Sequence, residues 1–285
     1  MKPEPSALAP GLYLVATPIG NARDITLRAL DILASADVIA AEDTRTARKL
    51  MDIHGITVGG RPMIPYHDHS GDHGRAGIVK LLGEGRSVAY VSEAGTPMIA
   101  DPGFALAREA ARAGHLVTTA PGASAIPVAL SLSGLPTDRF LFAGFAPSSA
   151  GARRAWLAEL LPVEATLVIY ESPRRVRETL TSLCELGAED RRIALCRELT
   201  KRFEEVLHGT VRDLRDQLED RDLKGEVVLV IGKGDVTVAD ETMEDALRRA
   251  MADMSLKDAA ATVAEAYGLP RRKVYQAALE LEKAK

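Results

Sequence analysis

Only two cysteines occur in the 285 residues, Cys184 and Cys196, and they form no Cys-x-x-Cys pair. Neither a disulfide framework nor a zinc site is expected from them. No apolar run approaches the roughly 18 residues that a membrane span requires. Residues 1–10 are rich in Pro and Ala and lack the charged-then-apolar pattern of a secretion signal. They are expected to form a loose tail on a cytoplasmic protein that crosses no membrane. A surplus of positive charge is also missing, since 36 basic residues face 40 acidic ones for a formal charge of −4. A protein that coats a polyanion is basic overall, so contact with nucleic acid must run through local patches. Arg45/Arg48/Lys49, Arg153/Arg154, Arg174/Arg175/Arg177 and Arg271/Arg272/Lys273 are the candidates; each alone reads more plainly as a solvated helix face. There is no internal repeat and no low-complexity stretch.

Several chemical signatures are absent. No Gly-x-Gly-x-x-Gly follows the first apolar strand, and Gly20 does not lead into Gly-Lys-Ser/Thr. These absences argue against an ordinary nicotinamide enzyme and a nucleoside triphosphatase. No Gly-x-Ser-x-Gly elbow marks a serine hydrolase. His67-x-His69, with Asp68 between and His73 nearby, would set two imidazoles on one strand face, as a metal site requires. No partner cluster accompanies them, because His115 and His208 stand alone. A polar strand end lining a pocket is the better reading, and no metal is expected.

What the chain does have is a regular alternation of short apolar strands and helices. Its 46% hydrophobic content supports about two globular domains with real cores. Strands are expected at 12–16, 37–41, weakly before Pro65, at 87–91 and at 116–119. Helices are expected to follow each, with Asp24 or Thr26 capping the first and Leu27, Leu30 and Leu33 or Ile32 forming its buried stripe. The next helices are expected at 44–54, 78–83, 104–113 and from Ala125 to about Leu132. This pattern predicts an α/β fold, a mainly parallel N-terminal sheet with helices on both faces. Every polar or Gly/Pro-rich turn follows a strand, so all should gather on one sheet edge. The most informative is 91–103, small residues with two prolines and two carboxylates, where an open α/β sheet binds ligands.

Residues 134–138 look like a boundary. Strands at 140–145, 166–170, 193–196, 203–208 and 226–231, with helices at 152–161 and 176–186 and one between the last two strands, predict a second α+β domain with a mixed sheet. The expected division is a flexible tail at 1–11, the N-terminal domain at 12–134, the second domain at 135–232, a linker at 233–241 and a helical C-terminal domain at 242–285. That last domain is read as helical from Met243 onwards, broken only at Tyr267–Pro270. It is open between a helix-turn-helix and a plain helical hairpin.

Taken together, Val15-Ala16-Thr17-Pro18-Ile19-Gly20-Asn21 with Asp24-Ile25-Thr26, Ala40-Ala41-Glu42-Asp43-Thr44-Arg45, His67-Asp68-His69, Ser92 to Pro97, Pro121-Gly122, Tyr170-Glu171-Ser172 and Arg197-Glu198-Leu199-Thr200-Lys201 form an ordered series of motifs. The series resembles the bacterial ribosomal RNA small subunit cytidine 2′-O-methyltransferases, a family with the tetrapyrrole-methylase fold. The resemblance covers residues 12–232, and the helical tail also resembles that family's small C-terminal domain. Two positions depart from its pattern: Glu93 stands where the family usually has Asp, and Ser70 where it often has Asn.

The resemblance implies S-adenosylmethionine as methyl donor, folded into a cleft between two domains. It implies small-subunit ribosomal RNA or the assembled small subunit as partner, and a homodimer. Carried over residue by residue, the cofactor site would comprise Pro18, Ser92, Glu93, Ala94, Gly95, Ile99, Pro121, Gly122, Ala123, Ser124, Tyr170 and Glu171. The attacking ribose hydroxyl must lose its proton. Asp43 and His67 are the candidate bases or hydroxyl anchors, although Asp43 is equally suited to cap the helix after it. Lys201 is the candidate for stabilising developing negative charge. Arg45, Arg48, Arg174 and Arg175 are candidate phosphate contacts on single-stranded or looped RNA. Two alternatives stay open: a precorrin-type methyltransferase of the same fold, and a nucleic-acid-binding ligand sensor.

Overall fold

The computed structural model describes residues 3–67, 70–100, 103–234 and 243–283. By packing, the chain divides into two compact units, Met1–Lys233 and Gly234–Lys285.

The first unit opens with a sheet built from β1 (Gly11–Val15), β2 (Val38–Ala41), β3 (Met63–Pro65), β4 (Ser87–Val91) and β5 (Val117–Ala120), in the order β3-β2-β4-β1-β5. Every neighbouring pair in it is parallel. Successive side chains alternate between its faces, as strand geometry requires. Tyr13, Val15, Ile39, Ala41, Ala89 and Val91 share one core with Leu30 and Leu33 of α1 (Leu27–Ser35) and Met51 of α2 (Thr44–Ile53). Leu12, Leu14, Val38, Ala40, Val88 and Tyr90 share the other with Ile78 and Leu82 of α3 (Gly71–Gly83) and Leu106 of α4 (Phe104–Arg112). A sheet buried on both faces needs strands that are apolar throughout, which is how these strands read.

The strand order also fixes where a ligand would sit. The helix after β1 packs on one face of the sheet and the helix after β4 on the other. Between the carboxyl ends of these adjacent strands the connections part to opposite faces, and that is the switch point at which such sheets open a crevice.

The structure settles one alternative of the sequence pattern in this half and departs from that pattern at two points. Thr26, not Asp24, caps α1, its hydroxyl accepting from the Ala29 N–H at 3.1 Å. Leu27 is 50% exposed at the first turn, and the buried stripe is Ala29, Leu30, Ile32 and Leu33. Helix α3 starts at Gly71, well before Ile78, because Gly74 and Gly77 dilute the helical signal there.

The second sheet holds β6 (Phe140–Phe145), β7 (Thr166–Glu171), β8 (Arg192–Arg197), β9 (Glu205–Thr210) and β10 (Val227–Ile231), in the order β6-β7-β10-β8-β9. It is mixed: β6 and β7 are parallel, and the other pairs antiparallel. One face carries Leu167, Ile169, Leu195 and Leu229 against α6 (Ala150–Leu160), α7 (Val176–Glu185) and α8 (Val211–Gln217). The other face is covered by α5 (Ala125–Ser133), whose Ile126, Ala129 and Leu130 meet Val168, Ala194, Val228 and Val230. Helix α5 follows β5 in the chain yet packs on the second sheet. Ile19, from the turn after β1, is buried in the same cluster.

The second unit consists of α9 (Met243–Asp253), α10 (Leu256–Ala266) and α11 (Arg271–Lys283) around Leu247, Val263, Val274 and Ala278. The helix expected to run unbroken to Tyr267 is interrupted at Met254, after which Ser255 caps α10 by accepting the Asp258 N–H at 3.2 Å. Most of the expected linker, residues 235–241, lies outside the described residues. No helix among the described residues is long and apolar enough to cross a membrane.

The contrast within α1 is directly measurable. Leu30→Ala removes a side chain that is 6% exposed and should cost about 2–5 kcal/mol of stability. Leu27→Ala, on the same helix, should cost less than about 0.5 kcal/mol. Chemical denaturation of the two variants checks this, and equal losses would contradict the assigned faces.

Candidate active site

The carboxyl edge of the first sheet faces the second sheet across a cavity of about 620 Å³. The first sheet contributes Pro18, Ile19, Gly20, Glu42, Thr46, residues 93–96, Ile99, Ala100 and Ser124; the second contributes Phe145, residues 170–173, Cys196, Leu199, Lys201 and residues 225–228. The turns after β1, β4 and β5 are laced together. Thr17 N–H donates to Gly95 O at 2.9 Å and Gly95 N–H to Thr17 O at 3.0 Å. Thr96 Oγ1 donates to Ala123 O at 3.0 Å. The Glu93 N–H donates to Glu42 Oε2 at 3.0 Å, which ties in the turn after β2. Thr17 itself is buried, and its Oγ1 has no hydrogen-bond partner among the described residues.

Two sheets share this cavity because their loops touch. Gly20 lies against 199–201 so closely that a Cβ there would sit 2.5 Å from Lys201 Cγ, 2.6 Å from Thr200 Oγ1 and 2.9 Å from Leu199 O. The Asn21 N–H donates to Thr200 Oγ1 at 3.2 Å. Only a glycine allows that approach of one backbone to another.

Most residues expected to hold a cofactor converge here: Pro18, Glu93, Ala94, Gly95, Ile99, Ser124, Tyr170 and Glu171 all line the cavity. Ser92, Pro121, Gly122 and Ala123 are not among its lining residues. Ser92 is buried, its hydroxyl 3.5 Å from Gly95 O. Gly122 packs on Ala16, and Ala123 offers its carbonyl to Thr96. The Glu171 carboxylate is fully buried and already occupied, by Arg175 at 2.8 Å, by Thr179 Oγ1 at 2.6 Å and by the Ser172 N–H at 2.7 Å. Its side chain is therefore a structural anchor for α7.

The three residues expected to carry chemistry separate clearly. Lys201 lines the cavity, its ammonium held by Glu198 at 2.8 Å and Glu226 at 2.9 Å. Partial burial pulls its pKa down, but the two carboxylates outweigh that and hold it above the usual lysine value. Asp43 does not line the cavity. It is the N-cap of α2, accepting from the Arg45 and Thr46 N–H groups, and it pairs with the Arg45 guanidinium at 2.8 Å. That guanidinium, with the backbone hydrogen bonds, lowers the Asp43 pKa to about 2. His67 is exposed past the end of β3 and is not a lining residue, while Asp68 and His69 lie outside the described residues. Among the described residues no group of three or more His, Cys, Asp or Glu is placed to hold a metal ion.

The arginines divide as well. Arg174 and Arg48 are exposed, and the Arg45 side chain is 91% exposed beside Asp43. Arg175 is committed to Glu171, and Arg153 is buried against Glu178 at 2.7 Å, so neither presents a free surface cation. Several lining residues carried no signal in the sequence: Phe145, Cys196 and 225–228. Cys196 reads as an ordinary core cysteine, and burial does push its thiol up to about 12.

Comparison with known proteins is consistent with this architecture. Residues 11–215 match the tetrapyrrole (corrin/porphyrin) methylases, and residues 237–282 match the RsmI C-terminal HTH domain. A ribosomal RNA small subunit methyltransferase I from Mesorhizobium japonicum is 44% identical over 96% of this chain and 93% of its own. The solved uroporphyrin-III-C-methyltransferase of Thermus thermophilus is 25% identical with a TM-score of 0.56, over 78% of this chain and 94% of that one. Another structure of such an enzyme from that organism, complexed with S-adenyl homocysteine, shares the fold at 17% identity and a TM-score of 0.54, over 78% of this chain and 97% of that one. With its first unit matched to the one family and its near-full-length relatives sharing one name, the chain belongs to the tetrapyrrole methylases, among the ribosomal RNA small subunit methyltransferase I proteins.

Proposed function

We propose that this chain methylates the ribose 2′-hydroxyl of a cytidine in small-subunit ribosomal RNA, with S-adenosylmethionine as donor. The observation that carries this is the cavity at the switch point, which joins donor-sized space to a fixed ammonium, in a chain whose near-full-length relatives bear the small-subunit methyltransferase name.

The residues present suit the donor. A cavity of about 620 Å³ lies within the usual range for a cofactor site. Ile19, Leu199, Val227 and Val228 offer an apolar wall for a purine, while Glu42 and Glu93 offer carboxylates to a cationic, hydroxyl-bearing group. The turns at Pro18, 93–95, Ile99 and Ser124, with Tyr170, would hold it. When bound, S-adenosylmethionine supplies an electrophilic methyl on a sulfonium.

What remains for the protein is to orient a hydroxyl and accommodate charge as its proton leaves, and positioning supplies much of that acceleration. Lys201, kept protonated by its two carboxylates, serves as the hydrogen-bond donor to the oxygen that becomes anionic. A base works best with a pKa near the working pH. Asp43, at about 2, is poorly suited, and its part is to hold α2 and Arg45. His67, exposed on the same sheet edge, is the proposed proton acceptor. Arg45, Arg48 and Arg174 contact phosphate, and the C-terminal unit adds RNA affinity through Arg271, Arg272 and Lys273. The working form is proposed to be a cytoplasmic homodimer, and sedimentation at assay concentration should show two chains.

The test of the activity is mass spectrometry of small-subunit RNA incubated with the protein and labelled S-adenosylmethionine. A labelled ribose methyl on a cytidine is expected; label on a precorrin instead, with none on RNA, would overturn the assignment. For the mechanism, Lys201→Met should lower turnover by roughly a hundredfold. Binding of S-adenosyl homocysteine, measured by calorimetry, should stay near the wild-type value. Unchanged turnover would remove Lys201 from the chemistry.

Asp43 makes a separate prediction about pH. Its folded pKa lies below the ordinary 3.8, so its charge stabilises the fold above that value, and the benefit is lost as pH falls towards about 2. Asp43→Asn should therefore be less stable than wild type at neutral pH, with the gap closing between those limits. A gap that persists at the acid end would show the charge to be irrelevant.

A further inference from the structure

Phe145, the last residue of β6, lines the cavity with 59% of its surface exposed. Its orientation is not the one that strand alternation would give it. In the pairing of β6 with β7, Phe142 stands opposite Val168, but Gly144 rather than Ala143 stands opposite Ile169, and Phe145 stands opposite Tyr170. One extra residue has been inserted, with Gly144 at φ 79°. Leu141 and Ala143 pack against the core beneath α6 and α7. Strict alternation would carry Phe145 to that same side. The bulge instead returns it to the side of Phe142, edge-on to Tyr170 at a centroid distance of 5.2 Å. Phe142 holds Tyr170 from its own position at 4.9 Å. A bulge sacrifices ladder hydrogen bonds, is rare between parallel strands, and recurs where a side chain must be re-aimed at a site. Here its effect is to move a phenyl ring out of a core and onto the rim of the cavity.

We propose that Phe145 is the platform on which the base of the target nucleotide stacks, an inference that rests on the RNA-methylating function proposed above. The ring is oriented by Tyr170 and is open to solvent, as a platform for a group arriving from outside must be. A sugar can present its 2′-hydroxyl within a deep cavity only if its base leaves the helical stack, and aromatic side chains replace the stacking so lost. The neighbouring rim supplies a cation for the same nucleotide. Pro173 lines the cavity and opens the 3-10 turn Pro173–Arg175, in which Arg174 is exposed. The purine of the methyl donor is the competing occupant. Its apolar wall, however, is the buried surface of Leu199, Val227 and Val228, on strands and loops away from the β6 edge of the sheet.

The experiment uses the full chain with Phe145→Ala and Phe145→Trp. Methyl transfer to isolated small subunits is followed over a range of subunit concentrations, with S-adenosyl homocysteine affinity from calorimetry alongside. Phe145→Ala should lower kcat/KM for the subunit about tenfold or more, the scale of one lost base–aromatic stack. Phe145→Trp should stay within about threefold of wild type, because a larger ring still stacks. Both should bind S-adenosyl homocysteine as the wild type does. A fully active Phe145→Ala would overturn the platform while leaving the methylation reading intact. Loss of S-adenosyl homocysteine affinity in step with kcat/KM would overturn it in favour of the donor's purine, and a change in sedimentation in favour of a contact between copies. A wild-type chain that leaves ribosomal RNA unmethylated would sink the underlying reading, and the platform with it.

Discussion

The close approach of Gly20 to residues 199–201 is the contact on which the candidate site depends. A parallel sheet alone ends in a row of separate turns. Here the turn after β1 is drawn across to the second sheet, where Ile19 is buried in the core between that sheet and α5. Gly20 follows with its backbone against Leu199 and Lys201, and Asn21 hydrogen-bonds Thr200. The same turn is bridged on its other side to Gly95 through Thr17. One short segment thus reaches both the loop after β4 and the loop after β8. The cavity between them is set by covalent spacing and packing, so ligand-contacting groups from distant parts of the sequence are held in register before any ligand arrives.

The charged groups around the cavity fall into two populations with different duties. The buried ones are held by the protein: Glu171 is saturated by Arg175, Thr179 and a backbone N–H, and Arg153 is paired with Glu178, although its Nε has no hydrogen-bond partner among the described residues. Removing one partner from such a set leaves a charge stranded, and they are best understood as parts of the scaffold. Lys201 is intermediate, partly exposed, and held by two carboxylates that fix its protonation state without burying it. The exposed cations, Arg48 and Arg174 among them, carry little weight in stability and are the ones proposed to meet phosphate. A chain with net charge −4 can therefore still offer RNA a local positive rim.

The first sheet was largely legible because two-sided burial forces its strands to be apolar throughout and turns to fall at their ends. Motif by motif, the turns after β1, β4 and β7 could be tied to the cavity by reading and resemblance alone. The strand β10 could not. It runs antiparallel to its neighbours, so residues 225–228 enter the site from its beginning, and hydrophobic pattern says nothing about strand direction. Phe145 escaped for a related reason: a single inserted residue reverses which face a side chain occupies, and an Ala-Gly pair inside an apolar run does not announce it. Asp43 shows the opposite case. The helix-cap signature and the candidate catalytic position occupy the same residue, and the hydrogen bonds to Arg45 and Thr46 show that the cap is made.

The backbone itself shows where the fold gives up stability for shape. Among the described residues, four other than glycine have positive φ: Met98 and Ala100 in the loop after β4, Glu198 and Thr200 in the loop after β8. Each such conformation costs of order 1–3 kcal/mol and persists only where its surroundings over-determine it. The second pair is over-determined in a visible way. The Glu198 N–H and carboxylate both bond to Glu226, its carbonyl accepts the Lys201 N–H, and the Thr200 N–H reaches Glu204 while its hydroxyl receives Asn21. Those hydrogen bonds offset the strain and leave the Lys201 side chain pointing into the shared space with its carboxylate partners behind it. A relaxed turn of the same length would lack that network, and the ammonium would be one more mobile surface lysine, costly to order.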